Sequence, residues 1–245
     1  MSDSQTIPTI PTITVDEESP NGWVVPPAPA IAEYVYSPNH RFSNPATPIF
    51  IHEPSSAPPT LISASIMTIL ATTALPTHHR FNKWRRLFSL QRDGSSFLTA
   101  INNVKKEKST ILVVETTQSE LFGCFTSEIW KQQHGSVKFF GNGECFIFRI
   151  NDDEAATATD EEVSIYKWTG KNTLFQLCNV EESKLAIGGG GFDGEFAFCL
   201  EEDFARGTSG PTETFDNPCL CASGSNFDVL NVELYGFVPE YESTL

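Results

Sequence analysis

The chain has 245 residues, is 40% hydrophobic and 19% charged, and carries a formal net charge of −15. That length allows one or two domains, and the acidic balance argues against a nucleic-acid binder, because most of the surface repels phosphate. The first residues, MSDSQTIPTI, offer neither a basic n-region nor an apolar h-region, so no secretory signal is expected.

Residues 1–60 hold 12 of the 16 prolines and a single basic residue, Arg41. They show no apolar periodicity and cannot bury enough surface to offset the entropy of ordering, so they read as a disordered tail. One domain over 61–240 is expected to follow, with a short tail at 241–245. Charge divides unevenly: −5 over residues 1–60, +6 over 61–110 and −16 over 111–245.

From Leu61 to Ala74, apolar residues recur at helical spacing (Ile62, Ile66, Ile69, Leu70), and Leu75-Pro76 stops the run. The window is too short and too rich in Ser and Thr to span a bilayer. Trp84, Leu87 and Phe88 follow as anchoring apolar residues. Asp93-Gly94-Ser95 then opens a second helix, with Phe97, Ala100, Ile101 and Val104 on one face and Ser95 or Ser96 as its cap. Lys105, Lys106 and Lys108 suit its carboxyl end. The basic stretch containing Arg80, Lys83, Arg85 and Arg86 reads either as a contact surface for a partner or as solvated faces of two helices.

From Ser109 onward the pattern is of strands. Ile111–Glu115 and Leu121–Thr126 flank a hairpin turn, TTQSE. Cys145–Ile150, Val163–Trp168, Leu174–Cys178, Lys184–Ile187, Glu195–Leu200 and Asp228–Phe237 continue the series. Short strands at near-regular spacing predict an antiparallel β-sandwich of two sheets with flanking helices, an α+β fold that is mostly β. The acidic, Ala/Thr-rich insertion Asn151–Glu162 reads as a mobile loop.

Candidate chemistry is sparse. Gly188–Gly191 invites a phosphate-loop reading, but no Gly-Lys-Ser/Thr follows and Phe192-Asp193 sets a carboxylate where phosphate would sit. The better reading is a turn that needs positive φ and close backbone approach. Glu144 and Glu213 are the carboxylates to test for acid–base work, which requires both to converge on one cleft; the alternative is that each fixes a loop. No Ser or Cys neighbours a His in a nucleophile motif, and Cys219-Leu220-Cys221 lacks a second ligand pair at zinc spacing. Cys124, Cys145 and Cys199 alternate with Phe in strands as small core hydrophobes, and a cytosolic setting would keep all six cysteines, Cys178 included, reduced. A redox-active thiol, if present, is expected at Cys219 or Cys221.

Several motifs occur in a fixed order: LPTHHRFNKWRRLFSLQRDGSS, LFGCFTSEIW, GNGECFIF from Gly141 to Phe148, the Trp168-Thr169-Gly170 turn, the polyglycine loop, and SGPTETFDNP. Together they resemble the TLDc domain proteins of the oxidation-resistance group, over about residues 61–238. Two places depart from that pattern. WRRLF lacks a following tyrosine, and Tyr235-Gly236-Phe237 stands where the family usually has tryptophan-glycine-phenylalanine. The resemblance implies a non-catalytic, monomeric interaction domain with no cofactor and no metal, acting in resistance to oxidative stress. It also implies binding to peripheral-sector subunits of the vacuolar proton-pumping ATPase and control of the pump's assembly and disassembly. The location implied is the cytoplasm, with recruitment to the vacuolar or lysosomal membrane, and mitochondrial or nuclear pools. Arg80, Lys83, Arg85 and Arg86, with the loops around Gly189 and Glu213, are the expected contact surface. Competing readings are a hydrolase-type enzyme using Glu144 and Glu213 and a thiol-based antioxidant.

Overall fold

In the computed structural model, which describes residues 53–134, 138–151 and 162–239, the first helix starts at a serine cap. Ser63 Oγ accepts the Ile66 N–H at 3.2 Å, and α1 runs over Ala64–Thr73. Its buried face is Ile66, Met67, Leu70 and Ala71, so Met67 takes a place that sequence spacing gives to Ile69. A 3₁₀ turn, Thr77–His79, leads into strand β1, Lys83–Ser89. Sequence analysis sees only isolated anchors here. Burial alternates through Trp84 and Arg86, and a register shift between Arg86 and Phe88 then turns Phe88 into the other core; the arginine and the shift together hide the pattern. After the short helix α2 (Leu90–Asp93), α3 spans Phe97–Val104. It is capped by Ser96, whose Oγ accepts the Thr99 N–H, and it buries Phe97, Ala100, Ile101 and Val104 as its spacing predicts.

The strands continue as β2 (Thr110–Thr116), β3 (Leu121–Thr126), β4 (Phe146–Asn151), β5 (Glu162–Lys167), β6 (Gln176–Asn179), β7 (Lys184–Ile187), β8 (Phe198–Glu201), β9 (Arg206–Thr208) and β10 (Asn226–Val238). Every strand pairing is antiparallel. One sheet runs β5-β4-β3-β2-β10-β1, the other β10-β9-β8-β7-β6. The long strand β10 belongs to both: its amino-terminal end pairs with β9, and its remainder lies between β1 and β2.

Register explains the layers. Leu112 faces Cys124 and Val114 faces Phe122 across the β2–β3 hairpin. These side chains share one core with Ile147 of β4 and with Leu185, Ile187, Phe198 and Leu200 of the second sheet. The alternate residues Ile111, Val113, Phe125, Phe146 and Phe148 pack on the other face beneath α1. β2 is therefore covered on both faces, which is why its ILVV run is continuously apolar rather than alternating. The predicted α+β sandwich is the observed one. β9 goes unread in the sequence because Arg206-Gly207-Thr208 is short and polar; its glycine is required by the Phe227 ring, 2.2 Å from where a Cβ would stand.

Most of the acidic insertion, 152–161, and residues 1–52 of the expected tail lie outside the described residues. Residues 53–60, which composition assigns to the tail, are instead held on the domain. The Pro58 and Pro59 carbonyls accept hydrogen bonds from Arg86 at 2.8 and 3.1 Å.

Candidate functional site

The basic stretch is divided: Arg85 is exposed, whereas Arg80 and Lys83 are half-buried. Arg86 is buried. Its guanidinium donates to Glu233 on one side and to both Glu53 oxygens on the other. Burial alone works against its charge, but the bonds from Glu53 and Glu233 outweigh that and raise its pKa. Glu233 is fully buried; its second oxygen accepts the Leu61 N–H at 2.9 Å and the Tyr235 hydroxyl. Burial, then the charge of Glu233, push the Tyr235 hydroxyl well above its ordinary range, so it donates. Arg92 also reaches Glu53, at 2.6 Å. Arg85 pairs with Glu107 at 3.2 Å, and Arg80 Nε donates to the Leu75 carbonyl at 3.3 Å. Lys83 is half-buried at the start of β1. These cations are spread over a turn and a strand rather than over two helix faces. Arg86, the one buried among them, cannot meet a partner because desolvation and a strap of chain enclose it.

A second region gathers the loops that carry Gly189 and Glu213. Thr214 is its hub: Oγ1 accepts the Gly189 N–H at 3.0 Å and donates to Asn172 Oδ1 at 2.7 Å. Trp168 Nε1 donates to the Asn172 carbonyl at 2.7 Å, and Thr169 Oγ1 to the Glu213 carbonyl at 2.7 Å. The turn after β5, the polyglycine loop after β7 and the segment before β10 are thus knotted together. Gly190 sits at φ +75°, and a Cβ on it would meet Asn172 Nδ2 at 2.8 Å and Glu213 Oε2 at 3.3 Å. The glycines serve backbone shape and close approach.

Beside this knot opens a cleft of about 460 Å³ lined by Gly190, Gly191, Phe192, Pro211, Thr212, Glu213, Asp216 and Asn217. Its floor is tied by Asn217, whose Nδ2 donates to the Gly210 carbonyl at 3.0 Å and whose Oδ1 accepts from Thr212 at 2.6 Å. Phe192 stands on the rim 84% exposed, the largest exposure among the large apolar side chains described. Trp168 is 39% exposed, with its ring against Phe175 at 5.5 Å.

Glu213 and Glu144 do not form a desolvated acid–base pair. Both are exposed. Glu144 lies in the turn before β4 with its N–H on Asn142 Oδ1 at 2.8 Å, not at the start of a strand among apolar neighbours. The backbone of adjacent Gly143 lies against the Trp168 ring. His134 is exposed and 3.4 Å from Glu181. His79 is stacked on Phe237 at 4.3 Å, and burial, then neighbouring His78, lower its pKa to about 4.

All six cysteines are free thiols, and only Cys219 is less than fully buried. Burial pushes Cys178, Cys199 and Cys221 up to about 12 and raises Cys124 and Cys145 as well. Such thiols hold their protons and are poor nucleophiles. Cys219 Sγ donates to the Ser209 carbonyl at 3.3 Å. Among the described residues, no group of three or more His, Cys, Asp or Glu side chains is placed to hold a metal.

Gly189 and Glu213, expected from the sequence, both lie in this loop cluster. Phe192, Thr214 and Asn172 are not anticipated there. A phenylalanine directly after four glycines, outside any alternating pattern, was the available signal for the first. Nothing local marks the other two, whose roles come from loops far apart in the chain.

Residues 55–238 match the family profile described as TLDc domain. Among curated relatives, an "Oxidation resistance protein 1" of Yarrowia lipolytica is 28% identical over 161 residues, covering 63% of this chain and 64% of that protein. The protein of the same name from Bos taurus is 28% identical over 185 residues, covering 75% of this chain and 19% of its own length. The "GTPase-activating protein skywalker" of Drosophila melanogaster is 30% identical over 164 residues, covering 62% of this chain and 26% of that protein. The chain therefore spans less than two thirds of the length of these relatives.

Proposed function

The chain belongs to the TLDc domain family, and from that premise we propose that it works by binding other proteins, in resistance to oxidative stress. Its partner on this reading is the peripheral sector of the vacuolar proton-pumping ATPase, and what it controls is the pump's assembly. The observation that carries the reading is the knotted loop cluster with Phe192 and Trp168 exposed on its rim. A rigid surface with exposed aromatics suits protein recognition, because little ordering is left to be done on binding. The exposure of Glu144 and Glu213 and the raised thiols favour binding over acid–base or peroxide chemistry. The relatives named for oxidation resistance support the biological setting.

The mechanism is a difference in affinity. Contacts made with the detached peripheral sector and not with the assembled pump shift the equilibrium toward disassembly, by no more than that difference allows. The protein acts in the cytoplasm on this reading, recruited to the membrane that carries the pump. Pull-down from cytosolic extract with the immobilised protein tests it. Peripheral-sector subunits are expected in the bound fraction, and their absence sinks the ATPase assignment. In parallel, Glu144→Gln, which leaves the Glu213 loop untouched, is expected to keep both fold and protective activity; loss of protection in this folded variant would return the enzyme reading.

A further inference from the structure

We infer that the cleft between Gly190–Phe192 and Pro211–Asn217 is the grip of this protein, and that its occupant is a partner segment presenting an arginine or lysine beside an apolar side chain. The inference rests on the protein-binding reading and adds the place and the chemistry of the contact.

The walls make the case. Two lining residues are glycines packed closely against the protein's own chain, Gly190 on Asn172 and Glu213 and Gly191 on Pro211 and Glu195, so this wall is already formed before a partner arrives. The charged lining groups are Glu213 and Asp216, both acidic and exposed. Asp216 has Lys171 at 3.8 Å, whereas Glu213 has no ion-pair partner among the described residues. Its carboxylate therefore waits beside a cleft for a cation. Phe192 supplies the other half of the recognition. Its ring is exposed on the same cleft and can take an apolar side chain on its edge or a guanidinium over its face. The net charge of −15 steers basic segments toward the protein and acidic ones away.

The other regions lack this combination. The arginines of β1 and the preceding turn, Arg80, Arg85 and Arg86, are engaged with Glu53, Glu107, Glu233 and backbone carbonyls. A second cleft, of about 360 Å³, holds Glu201, Glu202 and Asp228, but it contains its own cation, Arg206, 3.7 Å from Glu202. Its aromatic, Phe227, is buried. Of these two clefts, the Phe192 cleft is the one that joins an unpaired carboxylate to an exposed ring.

The test measures affinity of the full chain for purified peripheral sector of the vacuolar ATPase, for wild type, Phe192→Ala, Glu213→Gln and Glu213→Lys. Each substitution is at an exposed position, and thermal unfolding checks that the fold is kept. Phe192→Ala and Glu213→Lys are each expected to weaken binding at least tenfold, with Glu213→Gln between them and wild type, and wild-type binding is expected to weaken as salt rises. If wild type binds and all three variants stay within twofold of it, the cleft assignment is overturned while the binding reading stands. If wild type does not bind the sector, the ATPase reading falls, and the cleft is judged on peptide probes instead. An arginine–leucine hexapeptide is then expected to shift the amide resonances of Gly190, Gly191 and Phe192, and its glutamate–leucine counterpart to leave them in place. Equal shifts with both, or none with either, overturn the inference.

Discussion

The Arg86 strap and the Thr214 knot are both polar networks that tie distant segments together, yet they differ in what they are made of. The strap is ionic: one buried guanidinium is shared between Glu53 and Glu233, and residues 53–61 are laid over β1 and β10. The knot is neutral: one hydroxyl and one carboxamide bind backbone groups of three loops. Removing a partner from the first leaves a charge without water, whereas removing one from the second leaves only a dipole unpaired. Stability should therefore be concentrated in the strap, and recognition can reside at the knot, where exposed groups change without cost to the fold.

The largest effect is expected from Arg86→Ala. Glu233 would remain fully buried without its counter-ion, and such a loss costs about 3–5 kcal/mol, read as a drop in the urea midpoint of unfolding. A pair of deletions refines this. Removing residues 1–60 takes away Glu53 and the Pro58 and Pro59 carbonyls, whereas removing 1–52 keeps them. The longer deletion should be less stable than the shorter by about 1–3 kcal/mol, since Arg86 still keeps Glu233. Equal midpoints for the two deletions would mean that the strap contributes nothing. On the other side of the comparison, Thr214→Val leaves the Gly189 N–H and Asn172 Oδ1 without their shared hydroxyl. It should cost about 1–3 kcal/mol by the same measurement.

Acid supplies a smaller effect with a definite sign. Folded His79 stays neutral down to about pH 4, while the unfolded chain takes up that proton near 6.5. Between those values the unfolded state binds more protons, so stability falls as pH falls through the window. His79→Phe keeps a ring over Phe237, and its midpoint should depend less on pH from 6.5 to 4 than that of wild type. An identical slope would refute the assignment. The smallest effect belongs to Phe192→Ala, whose ring is 84% exposed; its unfolding free energy should stay within about 0.5 kcal/mol of wild type. A larger loss would mean that this ring is part of the core rather than of a contact surface.

What was legible in the sequence follows the same division. Apolar patterning identified α1, α3, the β2–β3 hairpin and most later strands, because burial there is made by the local alternation itself. It failed at β1 because an arginine occupies an inward position. Its partners, Glu53 and Glu233, lie 33 and 147 residues away, and no local pattern reports them. At the candidate site, the turn role of the glycines is legible because their conformational demand is local. Whether Glu144 and Glu213 converge on one cleft is not a local property, and the turn before β4 at Phe146 leaves the Glu144 carboxylate exposed. The hub at Thr214 joins residues 25 and 42 positions apart and was invisible for the reason that hid the strap.

The position of β10 has a consequence for how this chain is made. It is the last strand in sequence, yet it lies at the centre of the fold, between β1 and β2 and alongside β9. During synthesis from the amino terminus, β2 and β9 each have a bare edge until residues 226–238 leave the ribosome. Its pairing with β1 then closes a loop of more than a hundred residues, from Ser89 to Glu233. Such long-range closure is slow and leaves strand edges open to wrong partners meanwhile. Neither sheet is complete before residues 226–238 are free of the ribosome, and until then the nascent domain depends on protection of those edges.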